Sequence, residues 1–522
     1  MQPVDAQSSS PATPQWRTIG AGSGALLGAL SFAVTILITF FLSPFMLKRL
    51  GDASYGLLSV TWELGGYFGL FDLGLRSAIN YYVSRSAATG ALDEVRAVVR
   101  NAFWLLAAIT LIGLLASWPV AFLASGFIQR GPLDFSTVRS VLWLGIVVFS
   151  LNLTGSLASS VLAGLRRFDW LTLTNITGTV LTGILVFASI EAGMGLFAVA
   201  FAQATGTLLP WVAQQFLLHR WQLTSGLWPP RLDRTLVSRL TSYGSANLAM
   251  RLSELLAFQS EQIIIVQALG PAAVAQYHVG RYLALHSRSL VNSLCMVLAP
   301  YFTALSVQEG EAAQRDFFLR INRWICALAA LLLAGVLALG KPFLALWVGP
   351  RYTAGEWWSR SDVVLAVFAC AMAFRSLTAV PYQFLLGTRR LRFATAVLAL
   401  EAVFIVVGGT IAVRWKGIVA LALVKLASSI LISVAAFVPY TLRELRIPIS
   451  DYLRLSLAPA FLVGAATSAA ALLMQLGLPL DNWPRFFLAA LLGAACGAAA
   501  FLSLSTAEDR EFLLRKLRTP LG

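Results

Sequence analysis

Long apolar runs broken by short polar stretches set the pattern of this 522-residue chain. A helix of about 20 apolar residues crosses a bilayer, and the pattern predicts about fourteen such spans. Their limits are 20–47, 55–83, 98–125, 139–163, 169–190, 195–218, 240–268, 273–304, 322–345, 362–386, 393–413, 417–440, 455–477 and 485–505. The expected fold class is an all-α polytopic membrane protein.

The first twelve spans form two groups of six, because the chain repeats itself. Leu50-Gly51 ahead of Tyr55 has a counterpart in Leu269-Gly270 ahead of Tyr277. Tyr82 and Arg96 bracket a polar loop as Tyr301 and Arg315 do, 219 residues later. The offset is 223 for Pro119 and Pro342, and again for Gly164-Leu165-Arg166-Arg167 and Gly387-Thr388-Arg389-Arg390. An internal repeat of helical membrane units is a signature of transporters whose two lobes close around a central site. The expected organisation is a cytoplasmic tail (1–18), an N-lobe of six spans (19–220), a cytoplasmic linker (221–239), a C-lobe of six spans (240–441), an extra hairpin (442–506) and a basic cytoplasmic tail (507–522).

Composition supports a membrane protein: 58% of residues are hydrophobic and only 12% charged. A net charge of +15 would suggest nucleic acid in a soluble protein. Here the basic residues fall in alternate loops, and Lys and Arg accumulate on the cytoplasmic side of a membrane. With the N-terminus inside, the cytoplasmic segments hold about 23 Lys/Arg and the outer loops about 10. Both termini are therefore expected in the cytoplasm, with no nucleic-acid partner. The Ser/Pro-rich start has no basic lead into a short apolar core, so it reads as a disordered tail and not a signal peptide. Cys295, Cys326, Cys370 and Cys496 all fall in apolar spans, and neither they nor His219, His278 and His286 have metal-ligand spacing. No P-loop is present, so no ATP-hydrolysing site, metal or cofactor is expected.

The segments Leu50-Gly51-Asp52-Ala53-Ser54-Tyr55-Gly56, Gly69-Leu70-Phe71-Asp72-Leu73-Gly74-Leu75 and Tyr82-Val83-Ser84-Arg85 resemble the polysaccharide-biosynthesis branch of the MOP (multidrug, oligosaccharidyl-lipid, polysaccharide) exporter superfamily. These are the Wzx-type O-antigen and exopolysaccharide flippases, with MurJ and the MATE antiporters as more distant relatives. The resemblance covers nearly the whole chain, the terminal hairpin included. It implies a non-enzymatic flippase of the bacterial inner membrane that moves a polyprenyl-diphosphate-linked oligosaccharide by alternating access. Spans one, two, seven and eight would line the cavity, and a polymerase or glycosyltransferases would be partners. Two departures stand out. No charge lies between Arg17 and Lys48, so a cationic contribution from the first span is absent, and Arg76 stands where a small residue is expected.

Charged side chains inside spans are costly and face protein interior or a watery cavity. On the seventh span Asn247, Arg251, Glu254, Phe258 and Glu261 fall within about 80° of one another, a single stripe. On the eighth, His278, Arg281, Leu285, Arg288 and Asn292 do the same. One reading is a cavity wall whose Arg forks hold a diphosphate while amides meet sugar hydroxyls. The other is a set of interhelical ion pairs, with Arg251 neutralising Glu254 and Arg281 meeting Glu261. Arg281 and Arg288 are the favoured substrate contacts, because no acid follows them on their own helix. On that premise, removing either one is expected to impair transport without loss of protein.

Asp72 and Arg76, at i and i+4, form an expected helical ion pair. Glu401 and Lys425 reach a similar depth on adjacent helices, as an ion pair or, with Glu254 and Glu261, as part of a coupling-ion site. Glu63 and Arg375 have no evident partner in sequence and are cavity candidates. Gly65, Gly66, Gly69 and Gly74 make the second span easy to bend, or allow close packing. Trp347, Trp357 and Trp358 fit an interfacial belt or a sugar platform. Gly493 and Gly497 give the last hairpin a small-residue face. A MATE-like cation antiporter and a non-transporting scaffold of a glycan-synthesis complex are the rival functions.

Overall fold

A computed structural model describes residues 21–72, 74–128, 131–228, 232–245, 248–296, 298–308, 310–388 and 390–504. The two tails, Asn247 and Arg389 lie outside the described residues. The described chain is helical, with no strand. In order, α1 is Ala21–Phe68, α2 Leu75–Ala88, α3 Leu92–Phe127, α4 Phe135–Gly164, α5 Phe168–Glu191 and α6 Gly195–Arg220. A short α7 (Arg234–Ser245) precedes α8 (Leu248–Ala268), α9 (Pro271–Cys295), α10 (Leu298–Gln308) and α11 (Gly310–Trp347). Then come α12 (Ser361–Ser376), α13 (Ala379–Gly387), α14 (Leu391–Ile430), α15 (Val438–Glu444), α16 (Ile449–Tyr452), α17 (Ala458–Gly477) and α18 (Trp483–Leu504).

Ten helical stretches among the described residues are long and apolar enough to cross a membrane. Two of these, Leu27–Phe68 and Arg392–Glu444, each contain a break and supply two spans, at Gly51 and at Lys416–Gly417. Helices α8 and α9 carry the charged stripes that keep them out of that set, and they bring the spans to the fourteen expected. Gly51 (φ 79, ψ 167) and its repeat counterpart Gly270 (φ 89, ψ 177) share one backbone conformation that only glycine adopts without strain.

Three expected continuous spans are broken within the described residues. The second stops at Phe68 and restarts at Leu75, through Gly74 at φ 75. Buried Asp72 fixes this break: one carboxylate oxygen accepts the Gly74 N–H (2.6 Å) and the other meets Arg76 Nε at 3.0 Å. The eighth is divided between α9 and α10, and the tenth between α12 and α13. In both, a proline (Pro300, Pro381) stands in the first turn of the restarted helix, where it cannot donate the bond that would continue the previous one.

The chain divides into two compact units, each discontinuous in sequence: 1–43, 67–122 and 140–248, and then 44–66, 123–139 and 249–522. In the first, Leu75, Ala78, Ile79 and Val83 of α2 pack with Val95, Val98, Val99, Ala102 and Leu106 of α3 and with Leu157, Ala158 and Val161 of α4. Those spacings are helical faces, and the cluster is the unit's core. The α2–α4 crossing is closed by Ser84 Oγ donating to the Gly164 carbonyl at 3.0 Å. The second unit has the same joint: Thr303 Oγ1 donates to the Gly387 carbonyl at 2.9 Å. Each glycine lets a neighbouring helix in, since a Cβ on Gly387 would lie 2.6 Å from the Ala299 carbonyl oxygen. In the terminal hairpin, Gly493 and Gly497 receive Thr467 and Ala471 of α17.

Candidate functional site

The charged residues of α8 and α9 converge, within the second unit, with charges from α1, α12 and α14. Helical spacing places Arg251, Glu254, Phe258 and Glu261 on one face of α8, and Tyr277 precedes Arg281 by one turn of α9. The result is a line of alternating charge. Glu63 accepts a hydrogen bond from Gln262 Nε2 (3.0 Å) and pairs with Arg281. Arg281 also lies 3.7 Å from Glu261, which accepts the Tyr277 hydroxyl at 2.8 Å. Lys425 Nζ sits 3.5 Å from Glu261 and 3.8 Å from Glu401, and donates to the Ala257 carbonyl at 2.6 Å. Arg375 closes the line, 2.9 Å from Glu401.

Three acids and three bases thus neutralise one another in order, and five of the six are buried. An ion taken from water costs several kcal/mol unless its charge is matched, and here each inner ion has an opposite charge on both sides. Phe258 is the apolar counterpart of the network. Its ring faces Lys425 Nζ at 3.7 Å, the Arg288 guanidinium at 4.3 Å and that of Arg375 at 5.6 Å, distances at which a ring face attracts cations.

Arg288 differs from the rest. It is half-buried, and no carboxylate lies within ion-pair distance of it among the described residues. Glu254, half-buried one turn before Phe258, accepts a hydrogen bond from Tyr382 at 3.1 Å. Arg251 and Asn292 are half-buried on α8 and α9. The Tyr55 hydroxyl and His278 Nδ1 lie 3.2 Å apart. No cluster of metal-ligating side chains occurs among the described residues.

Geometry changes one premise drawn from sequence. Arg281 is 3% exposed and held by two carboxylates, one on α1 and one on α8. Its removal therefore takes the cation from Glu63 and one of the two cations beside buried Glu261, so unchanged protein is expected only for Arg288. Glu63 and Arg375, without partners in sequence, find them in Arg281 and Glu401. Sequence reasoning did not identify Gln262, Tyr277 and Tyr382; the one available signal was Tyr277, four residues before Arg281. Of the tryptophans, Trp347 is a core residue stacked on Phe343 (5.4 Å between centroids), whereas Trp357 is exposed.

The second unit also holds an apolar hollow of about 540 Å³ between α11, α12 and α17, lined by residues such as Leu333, Leu337, Phe374 and Phe461. Its walls are largely small residues, Ala329, Ala330, Ala460 and Gly464 among them.

The family model described as "Polysaccharide biosynthesis protein" matches residues 21–306. The chain is 24% identical over 507 residues to the uncharacterized membrane protein EpsK of Bacillus subtilis (strain 168), covering 94% of this chain and 97% of that one. Among solved structures, the lipid II flippase MurJ in an inward closed conformation superposes with a TM-score of 0.67 at 12% identity, over 94% of this chain and 100% of MurJ. An inward-facing multidrug resistance MATE family transporter of the MOP superfamily gives 0.64 at 12% identity, over 81% and 98%. At these identities the structures share a fold with the chain.

Proposed function

From the premise that this chain belongs to the polysaccharide biosynthesis protein family, we propose that it is a flippase carrying a polyprenyl-diphosphate-linked oligosaccharide across the bacterial inner membrane. It is a multi-pass membrane protein with the MOP fold. In this reading residues 19–220 and 240–441 act as lobes of an alternating-access cycle, both termini are cytoplasmic, and no covalent bond is made or broken. The cargo is a repeat unit for lipopolysaccharide or exopolysaccharide.

Arg288 is the observation that carries the proposal. A diphosphate needs a cation whose charge is not already spent on the protein, and a planar guanidinium offers two donors to it. In the α8–α9 stripes, Arg281 is committed to Glu63 and Glu261, while Arg288 lies against the Phe258 ring with no carboxylate at ion-pair distance among the described residues. Half-buried Asn292 lies one turn along the same face and suits a sugar hydroxyl. The hollow of α11, α12 and α17 has the width and apolarity to take part of a prenyl tail. A cation antiporter would want an acid with no internal cation or donor. Glu63, Glu254, Glu261 and Glu401 each already face one.

The test is surface glycan in cells whose only copy carries Arg288→Lys, Arg288→Ala or Arg288→Glu. Lysine keeps the charge without the fork, so export should be partial. Alanine should leave little and glutamate none. Normal glycan with Arg288→Glu would remove the diphosphate contact from the proposal.

A further inference from the structure

Helices α5 and α6 of the first unit cross closely where Gly178 meets Pro210 and Gly206 meets Thr182. On either side of that crossing lies a hollow lined by both helices. The hollow at the Met194 end, about 430 Å³, is lined by Leu185, Ser189, Phe197, Phe201 and similar residues and bears no charge. That at the other end, about 580 Å³, is lined by Arg167, Trp170, Thr174, Phe216, Arg220 and Trp221, among others. One crossing thus makes two similar spaces, and only one of them is basic and aromatic.

We propose that the Arg167–Arg220 hollow binds an anionic glycerophospholipid, its phosphate held by Arg220 with the Asp169-paired Arg167 beside it and an acyl chain along Phe216 and Ala213. The arginines are prepared for different parts of that task. Arg167 is fixed: Nε and Nη2 hold Asp169 at 3.0 and 2.8 Å, and the guanidinium lies 5.0 Å over the Trp221 ring. Arg220 is exposed and has no hydrogen bond or ion pair among the described residues, so its charge is uncommitted. A lipid is favoured over a soluble anion because the space opens onto membrane-facing surface, where Leu173, Val212 and Phe216 are all more than half exposed. Tryptophans at the headgroup level are the usual companions of such a site.

The hollow lies where two helices end: Arg166 (φ 55) and Gln222 (φ 55) are the left-handed residues that close α4 and α6, directly before Arg167 and directly after Trp221. Under the orientation proposed above this end is cytoplasmic, and the occupant comes from the inner leaflet. Only the leaflet rests on that orientation, and binding in detergent is measured without it.

The experiment is native mass spectrometry of the full chain in detergent, titrated with dioleoylphosphatidylglycerol, dioleoylphosphatidylcholine or inorganic phosphate. The wild type should take up one phosphatidylglycerol more tightly than phosphatidylcholine, and inorganic phosphate should not displace it. Arg220→Glu should weaken that first binding at least about fivefold, the factor expected for one basic residue at an anionic lipid surface. Arg234→Glu, the same charge change on exposed α7, should leave it unchanged. Ala213→Trp, which fills the hollow without altering its charge, should weaken it as Arg220→Glu does. Equal affinity for the two lipids, displacement by inorganic phosphate, an Arg220→Glu protein matching Arg234→Glu, or an Ala213→Trp protein matching wild type would each overturn the assignment.

Discussion

Replacing Arg281 or Arg288 by alanine should produce opposite phenotypes from two arginines seven residues apart on one helix. Arg281→Ala takes the only guanidinium from between Glu63 and Glu261, and the Glu261 side chain has no exposure to water at all. Removing one partner of a buried pair costs about 3–5 kcal/mol, mostly because the remaining ion stays buried. Lys425, 3.5 Å from the other Glu261 oxygen, keeps the loss within that range. Against a total stability of about 5–15 kcal/mol this is a large fraction. The folded-to-unfolded ratio falls by between about a hundredfold and a few thousandfold. Arg288→Ala breaks no ion pair among the described residues and loses a contact with the Phe258 ring worth about 1 kcal/mol.

The assay is a fluorescent C-terminal fusion, read as folded protein in membranes and as a thermal midpoint in detergent, with surface glycan normalised to folded protein. Arg281→Ala should lose most of its folded protein. Replacing Glu63 and Glu261 by glutamine in the same chain should restore part of it, because the stranded charges are then gone. Arg288→Ala should stay within about twofold of wild-type abundance, as partly exposed substitutions do, yet lose glycan export. If Arg281→Ala is as abundant and heat-stable as wild type, the alternating line of charge does not hold this unit together. If Arg288→Ala exports normally, the free guanidinium has another purpose.

Lys425→Met should destabilise by about 3–5 kcal/mol, since Glu261 and Glu401 both lose a buried cation; a thermal midpoint equal to wild type would contradict this. Gly387→Ala should cost about 1–3 kcal/mol through overpacking, because the new methyl meets the Ala299 carbonyl oxygen, a backbone atom that has little room to yield; the folded fraction on size exclusion measures it. Single cysteines within 85–97, 219–239, 306–320 and 442–452 should resist a membrane-impermeant label added from outside, while those near Gly131, Gly270 and Gly355 should react. Outside labelling at residue 389 would invert the proposed topology.

Much of this was legible in the amino-acid order because a bilayer leaves so few choices. Unpaired backbone is costly in hydrocarbon, so apolar runs become helices and their number can be counted. The repeat was legible because its markers are geometric: Gly51 and Gly270 share one positive-φ backbone, and Gly164 and Gly387 receive the same hydroxyl bond. Breaks inside spans were harder to see. A composition window passes over Pro300 or Pro381 without registering that the helix restarts there. Partners were hardest, because Arg375 and Glu401 are on different helices and no spacing rule joins them. What sequence offered was only the rule that an intramembrane charge needs a partner or a cavity.

The two halves of the sequence share their joints but not their chemistry. Inside the first unit, neutral contacts join the spans: Thr110 meets Thr154 at 2.8 Å and Gln214 donates to Thr174 at 2.9 Å. Hydrogen bonds of that kind fasten membrane helices at modest energy and carry no charge. The second unit instead holds six ions in alternation, and one of them, Glu63, comes from the first sequence repeat through the 44–66 segment of α1. The joints are thus common to both halves, while the charge is carried by α8, α9, α12 and α14 together with Glu63 of α1. A neutral line can be rigid because every inner ion has two neighbours, but it has nothing left to offer an anionic cargo. That is why Arg288, outside the line and against the Phe258 ring, is the position at which altered charge should change export before it changes folding.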